Sequence, residues 1–385
     1  MFRKVFILNL AVFIFFGHFA VVQAQEVAPD TTTIQKAQVL EVIEQDVRDI
    51  PGTDTETNFQ TLQVKILDGA EKGKQVTVEN DYLNLKEGEV FYLMHTIGKF
   101  DGIDYYAVSD PYRLPAIYFF VALFVLCVVV FGGKQGIRGL VSLIVSLLFI
   151  FYLLFPAIMN GYSPMLVSVG VASLIIVLGS YITHGINKTT TSAVIGMVGA
   201  IIITGILAYL AVHYSRLTGF SSEESTYLNF NTRGAIDFVG LLLGGMLIGV
   251  LGVLYDAAIG QAIAVEELHR AGPHLSRKFI FTRAIRMGRE HIGALVNTLA
   301  IAYVGVSLPL LLLFYTTTSD LAVTVNRELF ATEIIRTMIG SIGLILAVPI
   351  TTLVTVFILV KHTKTTNQEL VAKEKEAIQH IGHSH

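Results

Sequence analysis

Asp256 closes an apolar stretch, where an ionised carboxylate is costly unless it is paired or faces water. Gln261, Glu266 and Glu267 follow, and the chain then breaks at Gly272-Pro273. Ser276 has the residue type of a helix N-cap, and beyond it come Arg283, Arg286, Arg289, Glu290 and His291. Arg286 and Glu290 are i, i+4 neighbours. Asn297 returns to the face of Glu290 about 10 Å deeper along a helix. This polar stripe enters an apolar segment and must face protein or water. It suits interhelical hydrogen bonding, the inner mouth of a path for a solute or ion, or docking of a cytosolic partner on 258–289. Two carboxylates at one depth need compensation. Asp256 and Glu290 are therefore expected to lie close together or to share Arg286 or Arg289.

A second polar patch is Thr183-His184-Gly185 with Lys188-Thr189, whose His184 and Lys188 suit anchoring at a lipid headgroup or, less simply, proton relay by His184. Gly240, Gly244, Gly245, Gly249 and Gly252 stand in one apolar run, and the spacing of Gly240/Gly244 and Gly245/Gly249 lets a neighbouring helix approach at backbone distance. Pro156, Pro309 and Pro349 fall in or near apolar runs, where they break helical hydrogen bonding. No HExxH, GxSxG or GxxxxGK[ST] pattern is present, so hydrolytic, metal-protease and ATP-binding chemistry have no motif to carry them. Glu266-Glu267 before Gly272 has the spacing of an ATPase-docking loop, but lacks its alanine and its closing Leu-Pro. Cys127 is the single cysteine, which excludes an intramolecular disulfide and a cysteine-built metal site. No cofactor is expected.

The elements that must position these residues are set by composition. Of 385 residues, 53% are hydrophobic and 15% charged, against roughly 25% charged in soluble domains. The net charge of −3 lacks the basic excess of a nucleic-acid binder. Arg3 and Lys4, an apolar stretch and Val22-Gln23-Ala24 read as a signal peptide over 1–24. Residues 25–113 are rich in charge and glycine. Their period-two segments near 38–43, 61–67, 74–78, 89–94 and 105–108 predict a small exported β-barrel-like domain. His95 is its only histidine and no catalytic constellation shows around it. From 114 to 360 the chain reads as a membrane α-helical bundle of about seven transmembrane helices, near 115–131, 137–158, 164–182, 192–213, 235–257, 291–314 and 333–360. Basic residues concentrate on alternate connections, including Lys134, Arg138, Lys188, 270–289, Lys361 and Lys364. That bias puts 258–289 and the tail 361–385 in the cytoplasm and the β-domain outside. The partner is thus the lipid bilayer, and the small-residue faces also suit a homo-oligomer.

Gly249-Val250-Leu251-Gly252-Val253-Leu254-Tyr255-Asp256, continuing through Gln261-Ala262 to Ala264-Val265-Glu266-Glu267-Leu268, resembles the signature of the YibE/F-like family of bacterial membrane proteins. Gly288-Arg289-Glu290-His291-Ile292, Val296-Asn297-Thr298-Leu299, Ala302-Tyr303 and Leu308-Pro309-Leu310 resemble it too, as do Thr183-His184-Gly185 and the Tyr105-to-Arg113 segment. The resemblance implies a multi-pass protein of the bacterial inner membrane, described loosely as a permease, and brings no settled activity. Two functions stand: a permease or channel-like transporter, and a non-transporting scaffold or sensor that binds a ligand or partner through the exported domain.

Overall fold

The computed structural model describes residues 31–49, 56–98, 103–316 and 320–360. The expected signal peptide and C-terminal tail lie outside the described residues. The chain divides into two compact units, 1–124 and 125–385.

The first unit is an antiparallel half-barrel of five strands: β1 (Thr31–Asp49), β2 (Glu56–Ile66), β3 (Gln75–Asn80), β4 (Val90–Ile97) and β5 (Asp104–Pro111), in the order β3-β2-β1-β4-β5. Each of the five period-two segments lies within a strand or overlaps one. Alternation buries Leu62, Val64 and Ile66 on one face of β2, where they meet Ala37, Val39, Phe91 and Leu93. Burial of each large side chain contributes roughly 1.5–3 kcal/mol. Long β1 pairs with both β2 and β4, and its register shifts between Val39 and Glu41 and between Val42 and Glu44. Such bulges bend and twist a strand, as a sheet curling into a half-barrel requires.

The helices are α1 (Leu114–Phe149), a π-helical turn (Ile150–Leu154), α2 (Phe155–Met159), α3 (Pro164–His184), α4 (Lys188–Tyr214), α5 (Glu223–Asn231), α6 (Phe238–Ala271), α7 (Arg277–Val306), α8 (Leu308–Tyr315), α9 (Leu321–Val325) and α10 (Glu328–Leu359). Side chains start several of them. Asn187 accepts from Thr190 N at 2.7 Å, Asp237 from Gly240 N at 3.0 Å, and Ser276, the expected N-cap, from Phe279 N at 3.2 Å. Close packing follows small residues. A Cβ at Gly196 of α4 would stand 2.8 Å from Thr351 Cα of α10, so those two helices touch at backbone distance. Ala172, Met197, Ile201, Val250, Leu254 and Ala347 form a core shared by α3, α4, α6 and α10.

The expected seven separate spans are not met helix for helix. Among the described residues five helices are long and apolar enough to cross a membrane, or six when α7 and α8 count as one bent span. The first covers 46 residues, Leu114–Met159, in place of two expected helices. Inside it Gly133 leaves helical geometry at φ 52°, ψ −138°, a conformation open to glycine and strained for other residues. The segment expected as one helix over 291–314 is broken: α7 and α8 meet at Ser307 with a bend of 69°. Pro309 explains the break, since it has no N–H and its ring clashes with the carbonyl four residues back.

Candidate functional site

The α7–α8 break lies against an ion pair. Glu333 and Arg336, both on α10, join at 2.8 Å from Nη1 to Oε1, with side chains only 24% and 26% exposed. Helix α10 is otherwise apolar enough to cross a membrane, and charges there need a partner and a reason. Ser307, at the break itself, donates to Glu333 Oε2 at 3.4 Å. Tyr303, one turn before the break, is within electrostatic reach of both charges. Two donors of this cluster, Tyr303 OH and Arg336 Nε, are buried without a hydrogen-bond partner among the described residues. Such groups are rare in folded proteins and each requires an explanation. Glu333, but not Arg336, lines a cavity of about 130 Å³ together with Ser307, Leu310, Phe314 and Phe330 among others.

Helix α6 borders the same cluster. A Cβ at Gly249 would stand 3.0 Å from Tyr303 OH. Gly249 belongs to an exposed stripe with Gly245, Gly252, Asp256 and Gly260, spaced to follow one helical face. This divides the glycines expected to serve packing. Gly240 and Gly244 do abut α3, at Pro164 and Ser168, whereas among the described residues nothing lies within 4 Å of a Cβ at Gly245 or Gly252. Those two leave space and bring no helix close, because the buried face of α6 is the opposite one, through Leu243, Leu247, Val250 and Leu254.

The polar stripe expected on α7 is present and faces away from the bundle. Arg286, Arg289, Glu290, His291 and Asn297 are exposed, as is Asp256 on α6. Among the described residues no ion pair joins Asp256, Glu290, Arg286 or Arg289, so the arginine expected to be shared by the two carboxylates pairs with neither. The cause is the phase of α7, whose buried positions Ile280, Ala284, Gly288 and Leu299 turn the charged face outward. Gln261 is instead the buried polar link between α6 and α7. It is 4% exposed and donates to Ala284 O at 2.7 Å. Its Oε1 lies 2.7 Å from where a Gly288 Cβ would stand.

His184 and Lys188 separate. Lys188 is exposed, while half-buried His184 has its ring centroid 6.1 Å from that of Tyr255. Thr189 beside them donates to Glu266 Oε2 at 2.6 Å, and Glu266 also pairs with Arg270. The patch on the α3–α4 turn is thereby tied to α6.

In the β-unit, His95 is far from isolated. It is 6% exposed, its Nε2 lies 3.0 Å from Asp104 Oδ1, and its Nδ1 lies 3.3 Å from Glu71 Oε2. Tyr106 stacks on its ring at 4.5 Å and donates to Glu71 at 2.9 Å, and Lys74 completes the network by pairing with Glu71 at 2.6 Å. The Lys74 hydrogen bond lowers the Glu71 pKa, the Glu71 hydrogen bond raises that of Lys74, and burial pushes the Tyr106 phenol up. Register creates this cluster, by setting His95 opposite Tyr106 and Ile97 opposite Asp104. No local spacing announces it. Glu333 and Arg336 did carry a signal: two charges three residues apart within an apolar run. Among the described residues no group of three or more His, Cys, Asp or Glu side chains is arranged to hold a metal ion.

Several long apolar helices around a paired intrahelical charge fit one class, the multi-helix membrane protein. Residues 120–361 match the family model described as YibE/F-like protein, and the chain belongs to that family. No curated protein and no solved structure matches it.

Proposed function

We propose that the protein is a membrane transporter whose path follows α6 past the α7–α8 break. The observation that carries this reading is the Glu333–Arg336 pair set in an apolar helix at the point where a neighbouring helix is interrupted. Transporters place solute sites at broken helices, where irregular backbone lines a cavity. The open glycine face supplies the continuation: the Tyr303 hydroxyl lies 3.0 Å from where a Gly249 Cβ would stand, and Asp256 follows about 10 Å farther along α6. In this reading the chain crosses seven times. A helix of 46 residues would run about 69 Å, twice a 30 Å core, and Gly133 is where it turns back. The β-unit then lies outside, and the charged end of α7 lies in the cytoplasm. Osmotic reswelling of proteoliposomes tests the function. Glycine, glucose, potassium chloride and potassium lactate are offered in turn. Entry of at least one solute faster than into protein-free vesicles, and lost in Arg336→Lys, is the expected result. Equal reswelling for all four overturns the reading.

The second reading, a scaffold or sensor, is favoured by the Asp104–His95–Glu71 network of the β-unit. It predicts that the reswelling assay stays silent while substitution of His95 abolishes a signalling or assembly phenotype.

A further inference from the structure

The polar residues of α7 that turn away from the bundle share one line. Ile280, Ala284, Gly288 and Leu299 are the buried positions of that helix. At about 3.6 residues per turn its opposite side carries Arg286, Glu290, Gly293, Asn297 and Val304, all of them exposed. Among the described residues neither Arg286 nor Glu290 enters an ion pair. Asn297 lies about 10 Å beyond Glu290 toward the break at Ser307, within the apolar part of the segment. Its neighbour Thr298 donates to Ala294 O at 2.9 Å, whereas the Asn297 amide has no hydrogen bond among the described residues. An amide turned toward hydrocarbon leaves strong donors and an acceptor unpaired, which is costly. Covering this face with protein removes the cost.

We infer that α7 is the interface of a homodimer, in which two copies pack side by side and in parallel along this line. The chemistry of the line selects a second copy. Arg286 and Glu290 stand one turn apart, so each copy brings both signs of charge. A two-fold axis parallel to α7 sets Arg286 against Glu290 of the partner subunit, and the reverse, as an isologous interface requires. A lipid phosphate would satisfy Arg286 but repel Glu290. An amide both donates and accepts, so Asn297 is complementary to its own copy. The steps of four, three, four and seven residues are those of a two-stranded coiled-coil seam, where one asparagine fixes register and partner number. Gly293 has nothing within 4 Å of a Cβ placed on it among the described residues, so two backbones can approach there. The glycine permits the approach, while the charges and the amide choose the partner. The inference needs α7 in the bilayer and is independent of transport.

Disulfide cross-linking of the full chain in native membranes tests this, on a background of Cys127→Ser. Val304→Cys lies on the line, and His291→Cys, equally exposed, lies off it. Under a mild oxidant Val304→Cys should give a band at twice the chain's mass. That band should exceed the one from His291→Cys by about tenfold or more, since only seam positions meet across the axis. On the Val304→Cys background, Arg286→Glu or Glu290→Arg alone sets like charges face to face and should weaken the band by about tenfold or more. The combined exchange Arg286→Glu with Glu290→Arg should restore it, a rescue that misfolding of the single variants would not produce. Asn297→Leu should weaken it by about threefold or more. Equal bands from Val304→Cys and His291→Cys, or none from either, overturn the interface. An exchange variant present in the membrane at wild-type amount yet cross-linking no better than the singles overturns the charge pairing that selects a second copy. A Val304→Cys adduct at any other mass gives the face to a different protein and overturns the homodimer.

Discussion

Arg336 keeps its charge inside α10 because Glu333 lies 2.8 Å away, with a quarter of each side chain still reachable by solvent. Removing one partner leaves the other uncompensated, which is worse than removing both. Arg336→Met alone is therefore expected to destabilise by roughly 1–3 kcal/mol, the buried-pair cost discounted for partial exposure. The double change Arg336→Met with Glu333→Leu should restore most of that loss. Thermal unfolding in detergent provides the double-mutant cycle, and a double variant as unstable as the sum of the singles would deny the coupling. Gln261 is a different case, a buried amide satisfied by a single carbonyl across α6 and α7. Gln261→Leu should cost about 1–2 kcal/mol, the value of a buried hydrogen bond with some packing regained. Solute entry per folded molecule should not change, since Gln261 lies apart from the ion pair.

Between elements, contact distance decides more than composition. Gly196 of α4 lies against the Thr351 backbone of α10, so Gly196→Ala must push two core helices apart. Overpacking of this kind costs about 1–3 kcal/mol, and a lower melting temperature with unaltered helix content is the outcome to look for. In the β-unit the shifts of Glu71, Lys74 and Tyr106 set a stability window. The folded pKa of Glu71 lies below its ordinary 4.5, so its contribution is present above that value and fades as pH falls through the folded one. Those of Lys74 and Tyr106 are raised, so their contributions are complete below about pH 10 and fade as pH rises further. Amide exchange of β4 and β5, corrected for intrinsic rate, should show protection lost on both sides. Glu71→Gln should flatten the acid limb, and an unchanged acid limb would show that the network does not hold the strands.

Across the whole molecule, crossing number and orientation make one testable statement. Cysteines are introduced singly in a chain whose exposed Cys127 has been replaced. Lys134→Cys and Ser276→Cys should react only after permeabilisation, and Ser222→Cys should react from outside without it. Labelling of Lys134→Cys from outside would make Leu114–Met159 a single crossing and remove the turn at Gly133. The sequence by itself determined the class of this protein and the identity of its elements. Long apolar runs can be satisfied only by helices in lipid, and the period-two alternation around Leu62 and Phe91 can bury one face only as strands. Pro309 and the Ser276 N-cap mark a break and a start because their chemistry acts within a few residues. Tertiary structure alone decided which polar groups meet. Nothing along the chain sets whether Arg286 and Glu290 turn inward, since that depends on the phase of α7 fixed by Ala284 and Gly288 against its neighbours. Nor does local spacing bring His95 between Glu71 and Asp104, which the strand register does, or bring Tyr303 to Arg336, which the packing of α7 on α10 does. Side-chain function here depends on distances across helices and strands, and those are set by packing and register.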